Sequence, residues 1–146
     1  MKIVVLIPFV LMSAICKAEA PHSFFPPTKL GILLYESLDL KTFRSSFGSK
    51  AENIHSLKDL VRHSCPSTQP VLTDVSVELT CDGWYYKFAL VKRGDFTGDG
   101  MEDLQLLFVD KAQNGGTYDA SGIVTVTRSA LDEAVVFTGL EEERKR

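Results

Sequence analysis

The chain has 146 residues, of which 45% are apolar and 24% are charged. These values are typical of globular proteins, and the length suits a single domain. The formal net charge of -3 argues against a basic surface for nucleic-acid binding. Beyond the N-terminal segment, no apolar run is long enough to span a bilayer. We therefore expect no nucleic-acid partner and no membrane anchoring of the mature chain.

The N-terminal segment has the features of a cleaved secretory signal. A lysine precedes an apolar run from Ile3 to Ile15, and small residues follow that run. Cleavage after Ala18 is favoured over cleavage after Ala20, because the latter leaves a proline at the new N-terminus. The sequence thus predicts a signal peptide over residues 1–18 and one globular domain over residues 19–146. A periplasmic or secreted location follows from this prediction.

Export changes the interpretation of the cysteines. If Cys16 leaves with the signal peptide, Cys65 and Cys81 remain in a compartment that permits oxidation. We expect these two to form a disulfide, which would close a loop of about 15 residues. The alternative is a pair of unpaired buried thiols.

Two short helices are predicted before the strands. The first runs from Asp39 to Gly48, and the second begins at a capping residue, Ser56, and ends before the Cys65-Pro66 pair. Apolar residues at helical spacing support both helices: Leu40, Phe43 and Phe47 in the first, and Leu57, Leu60 and Val61 in the second. The segment from Leu30 to Tyr35 has no clear period, so a strand and a helical turn both remain open.

A β-hairpin is predicted between Val71 and Arg93, where two alternating runs flank the turn dipeptide Asp82-Gly83. A two-residue turn fixes the register of the strands. On the apolar face it pairs Cys81 with Trp84, Leu79 with Tyr86, Val77 with Phe88, and Val75 with Leu90. On the more polar face it pairs Thr80 with Tyr85, Glu78 with Lys87, and Ser76 with Ala89.

Further strands are predicted over Leu104 to Val109, Ile123 to Thr127 and Val135 to Thr138. Short links favour antiparallel pairing of neighbours in the chain. The predicted fold class is therefore α+β, an antiparallel β-meander of four to five strands with one or two short helices packed on one face. The charged end of the chain, residues 141–146, is expected to be a solvated tail.

The residues best suited to chemistry lie between the second and third predicted strands. Oxygen-bearing residues alternate there with small ones, and alternating oxygen ligands in a tight loop can converge on one calcium ion. The candidate ligands are the side chains of Asp95, Thr97, Asp99 and Asp103 and the backbone carbonyl of Met101. The apolar Leu106 occupies the position of the last acidic ligand of an EF-hand, so a helix-loop-helix site is not expected. The alternative is a solvated turn without a metal.

This run, Asp-Phe-Thr-Gly-Asp-Gly-x-x-Asp-Leu, resembles the calcium loop of FG-GAP and VCBS repeats. The resemblance covers about eleven residues and implies that the same five residues, 95, 97, 99, 101 and 103, hold a structural Ca²⁺. The chain has one copy of the motif and lacks the usual end of the repeat, so a propeller is not implied. The whole chain resembles small exported bacterial proteins that carry a single such loop.

No catalytic motif accompanies this loop. His22, His55 and His63 have no metal-ligand spacing, and no serine lies in a G-x-S-x-G sequence. We therefore expect an exported, calcium-stabilised interaction module that is not an enzyme. Its protein partner would be contacted through the loop from Asp110 to Gly122, where Tyr118 and Asp119 lie. The alternative is a small periplasmic hydrolase that uses scattered carboxylates.

Overall fold

The computed structural model describes residues 19–43 and 53–140. The predicted signal peptide, the second half of the helix predicted from Asp39, and the charged tail over 141–146 lie outside the described residues. Among the helices that are described, none is both long and apolar enough to cross a membrane.

The described strands form one antiparallel sheet in which each strand pairs with the next along the chain. The strands are β1 (Val71–Leu72), β2 (Ser76–Cys81), β3 (Trp84–Gly94), β4 (Asp103–Ala112), β5 (Asp119–Thr127) and β6 (Val136–Leu140). The α+β class and the antiparallel meander are confirmed. The predicted number of four to five strands is too low, because the described sheet contains six.

The additional strand comes from a turn inside the first predicted strand of the hairpin. The Thr73 side-chain oxygen accepts hydrogen bonds from the backbone N–H groups of Val75 and Ser76, at 3.2 and 2.9 Å. This local turn separates β1 from β2 and lets β1 fold back on it. Val75 lies in the turn and is 51% exposed, so its predicted place in the core is wrong. Its predicted partner is nevertheless beside it, because Leu90 N–H donates to the Val75 carbonyl at 2.8 Å.

The remaining register of the hairpin is confirmed pair by pair. Cys81 lies opposite Trp84, and the other five predicted pairs follow outward from the turn as far as Ser76 and Ala89. Asp82 and Gly83 both have positive φ values, 51° and 77°, as the two-residue turn of a hairpin requires.

Three helical segments precede or flank the sheet: α1 (Leu30–Ser37), a 3₁₀ helix (Leu40–Thr42) and α2 (Leu57–Ser64). The segment left open at Leu30 is thus helical. Of the helix predicted from Asp39, the described part is the 3₁₀ turn, and Phe43 is not helical as predicted, because its backbone angles are extended. That conformation directs the Phe43 ring into the core, where it lies 5.4 Å from the ring of Phe88.

Helix α2 begins as predicted. The Ser56 side chain accepts from the Asp59 backbone N–H, and the Asp59 carboxylate accepts from the Ser56 N–H, which completes a capping box. The other end of α2 is tied to β2 by a disulfide between Cys65 and Cys81, whose Cα atoms are 5.4 Å apart. The predicted disulfide is confirmed, and such a bond is typical of an oxidising compartment.

The core lies between the helices and one face of the sheet. Helix α1 approaches β2 very closely, since a Cβ on Gly31 would lie only 2.1 Å from the Ser76 carbonyl oxygen. Fully buried side chains from both layers meet there, among them Leu30, Leu34, Leu57, Val77, Phe88, Leu106 and Val124. The helices and sheet therefore bury one continuous apolar cluster.

The loop proposed for partner binding is shorter than predicted. Strand β4 continues to Ala112, because β3 offers pairing partners as far as Trp84, and β5 already begins at Asp119. Asp110 is consequently a fully buried strand residue. Only residues 113–118 remain as a loop.

Candidate metal site

The acidic loop connects β3 to β4 at one end of the sheet. Residues 95–102 lie between the two strands, and positions 97–100 are exposed. Gly98 and Gly100 have φ values of 78° and 82°, a region that other residues adopt only with strain. Glycines at these positions therefore let the chain reverse within a few residues.

The fold brings three of the predicted ligands together. Asp95, Asp99 and Asp103 each offer a carboxylate oxygen, and these oxygens all lie within 4.8 Å of one another. Asp95 and Asp99 are exposed, whereas Asp103 is the first residue of β4 and has no exposed surface. The site is thus buried at Asp103 and open to solvent at Asp95 and Asp99.

Backbone hydrogen bonds hold the two exposed carboxylates in place. Asp95 Oδ1 accepts from the N–H groups of Gly98 and Asp99, and Asp95 Oδ2 accepts from Gly100 N–H at 2.8 Å. Asp99 Oδ1 accepts from Met101 N–H at 2.9 Å. These bonds fix the loop around Asp95, and they supply hydrogen-bond donors to both of its carboxylate oxygens without any ligand.

The buried carboxylate of Asp103 is different. Its Oδ2 accepts from the backbone N–H groups of Phe96 and Thr97, both at 2.9 Å. Its Oδ1 is buried, and within the described ranges no donor lies at hydrogen-bond distance from it. A buried polar atom without a partner costs about 1–3 kcal/mol, and more if it is charged. A cation beside Asp103 would remove that cost.

The two remaining predicted ligands lie along the same loop. Thr97 is exposed, and its backbone N–H donates a hydrogen bond to the Asp103 carboxylate. Met101 forms a parallel β-bridge with His22, in which His22 uses its own N–H and C=O. Both backbone groups of Met101 therefore point to the opposite side, where its N–H meets Asp99. Its carbonyl is therefore directed to the side on which Asp99 lies.

One part of the site has no signal in the sequence. The N-terminal arm, residues 21–26, runs beside the loop, and His22 exchanges two backbone hydrogen bonds with it. Glu102 accepts from the Ser23 hydroxyl at 2.6 Å and from Arg93 at 3.0 Å. Because Ser23 and Glu102 are 79 positions apart, no local pattern could reveal this contact.

The donor set determines which ions fit. All of the candidate atoms are oxygens, and three belong to carboxyl groups. Hard oxygen donors of this kind suit Ca²⁺, whereas Zn²⁺ usually takes nitrogen and sulfur ligands. Five protein ligands would leave one or more of the usual six to eight calcium positions to water.

Comparison with known proteins gives no significant match to a protein-family model, to a curated protein or to a solved structure.

Proposed function

We propose that this protein is an exported interaction module whose β3–β4 loop binds one structural calcium ion. The ligands in this proposal are Asp95, Thr97, Asp99 and Asp103 through their side chains and Met101 through its carbonyl. The observation that carries the proposal is the buried Oδ1 of Asp103, which has no donor in the described chain. Asp103 is also one of three aspartates whose carboxylates converge. Backbone N–H groups donate hydrogen bonds to both oxygens of Asp95, whereas Asp103 Oδ1 receives none from the described chain.

The ion in this proposal acts as a brace and has no catalytic role. Calcium sites in extracellular modules bind with dissociation constants of about 10⁻⁴ to 10⁻³ M. At free calcium about ten times the dissociation constant, binding to the folded state adds about 1.4 kcal/mol to the free energy of unfolding. For a chain of this size, that corresponds to a rise in melting temperature of about 3 to 6 °C.

Thermal unfolding with calcium and with EDTA tests the site. For the wild type we expect calcium to raise the melting temperature by the amount given above, and magnesium to raise it less. For Asp99→Asn, which removes an exposed ligand, we expect calcium to cause no rise. Asp132→Asn is the matched control, because Asp132 is an exposed aspartate outside the loop. Calorimetric titration gives the affinity directly. An unchanged melting temperature together with no binding heat at millimolar calcium would refute the calcium site.

The disulfide supports the exported location, since such bonds persist in oxidising compartments. For the partner, we propose another protein that contacts residues 113–118, where Tyr118 is 46% exposed and its ring lies 5.4 Å from that of Trp84. Affinity capture in the presence of calcium, with the wild type and with Tyr118→Ser, tests this surface. Equal recovery of the same protein by both would refute the role of the loop.

A further inference from the structure

We propose that calcium binding to the β3–β4 loop and docking of the N-terminal arm are thermodynamically coupled. This inference rests on the calcium site proposed above and adds a conformational consequence of binding. The arm is held by the same stretch of backbone that carries the candidate ligands. An ion that fixes this backbone would therefore fix the arm, and a docked arm would strengthen ion binding.

The first support is the position of the arm's backbone hydrogen bonds. His22 N–H donates to the Gly100 carbonyl at 3.0 Å, and Glu102 N–H donates to the His22 carbonyl at 2.7 Å. Both loop partners lie between Asp99 and Asp103 in the sequence. The arm thus contacts the loop within the ligand-bearing segment, where a change in loop geometry must reach it.

Met101 is the loop residue that lies between the arm and Asp99. The bridge to His22 occupies one side of its backbone, and Asp99 lies on the other. In the proposed site the Met101 carbonyl is a ligand, so coordination fixes the orientation of the peptide unit that it shares with Glu102. The N–H of that same peptide unit donates to His22. Coordination and docking therefore constrain one rigid peptide plane.

The conformation of the loop depends on hydrogen bonds to the carboxylates of the proposed site and to the arm. Positions 97–100 are exposed, and the glycines at 98 and 100 give this stretch wide backbone freedom. The hydrogen bonds that hold Gly100 all depend on Asp95 and the arm. Exposed loops with few buried contacts open at low cost, so we expect the ion to change the population of the ordered loop.

The other end of the arm is anchored in the folded core. Phe25 is only 5% exposed and belongs to the core cluster. The Phe24 carbonyl accepts from Arg128 at 2.9 Å, and the Pro26 carbonyl accepts from Arg93 at 2.6 Å. The arm therefore connects the β3–β4 loop to the core within a few residues. In this proposal, calcium binding controls the docking of the arm residues nearest to the loop.

Two measurements test the coupling on protein produced from the full coding sequence, with its N-terminus determined by intact mass. The first is amide hydrogen exchange of His22 and Glu102 with calcium and with EDTA. We expect calcium to slow exchange at both amides by about fivefold or more, as typical coupling free energies imply. The second is the calcium affinity of His22→Pro, which removes the N–H that donates to Gly100.

His22→Ala is the matched control, because it removes the imidazole but keeps the backbone N–H. We expect the dissociation constant for calcium to rise about fivefold or more in His22→Pro and to stay within about twofold of the wild type in His22→Ala. If calcium binds but neither the exchange rates nor the affinity of the proline variant change, the coupling is refuted and the calcium site stands. If calcium does not bind the wild type, both proposals are refuted.

Discussion

The disulfide between Cys65 and Cys81 gives the most direct quantitative prediction. The two residues are 16 positions apart, and the bond ties the end of α2 to the end of β2. The chain-entropy model assigns a closed loop of that length about 3 kcal/mol of stabilisation, because the bond limits the conformations of the unfolded chain. This is a large share of the roughly 5 to 15 kcal/mol that stabilises a typical domain.

The perturbation is the double substitution Cys65→Ala and Cys81→Ala, measured by urea unfolding. With a slope of about 2 kcal/mol per molar urea, we expect the midpoint to fall by about 1.5 M. The wild type unfolded after chemical reduction is the matched control, since it loses the cross-link but keeps both sulfur atoms. Cys81 is only 2% exposed, so any further loss in the alanine variant reports the packing of its sulfur.

Two outcomes separate the possible roles of this bond. A loss close to 3 kcal/mol in both the reduced protein and the alanine variant would support the entropic origin. A loss below about 1 kcal/mol in the reduced protein would refute it, because the folded state would then hold α2 against β2 without a covalent constraint.

Two further predictions concern the core and the open face of the sheet. Phe88 has no exposed surface and its ring lies 4.9 Å from that of Phe108, so Phe88→Ala should lower the free energy of unfolding by about 3 to 5 kcal/mol. Val91→Ala, at a side chain that is 55% exposed, should stay within about 0.5 kcal/mol, and equal losses in urea unfolding would contradict the assigned core. The hydrogen bond from Lys87 lowers the pKa of Glu78 below its ordinary value of 4.5, so this carboxylate stabilises the fold above that pH. The stability lost in Glu78→Gln should therefore be largest near neutral pH and disappear as the pH falls through the lowered pKa; a loss that is constant with pH would count against this ion pair.

Features that depend on neighbouring residues could be predicted from the sequence. The register of β2 and β3 follows from the Asp82-Gly83 turn, because a two-residue turn leaves only one pairing that keeps both faces consistent. The start of α2 follows from the capping box at Ser56 for the same reason. The convergence of Asp95, Asp99 and Asp103 is likewise contained within nine positions, so their spacing in a tight loop was informative.

The wrong predictions arose where long-range packing overrode the local pattern. Phe43 fits an amphipathic helix, yet its extended backbone places its ring against Phe88 in the core. Val75 continues an alternating run, yet the turn formed around Thr73 takes it out of the strand. The extent of β4 depended on the length of β3, which offers it backbone partners as far as Trp84.

The sequence alone therefore determined four features: the hairpin, the α+β order of elements, the pairing of the two cysteines and the acidic loop. Each of them depends on residue types or on residues close together in the chain. Only the tertiary structure decided that Asp103 is fully buried with one oxygen unpartnered, and that His22 is bound to the loop. Burial and contacts between distant segments depend on how the whole chain packs. Both features of the candidate metal site on which our proposals rest are of that second kind.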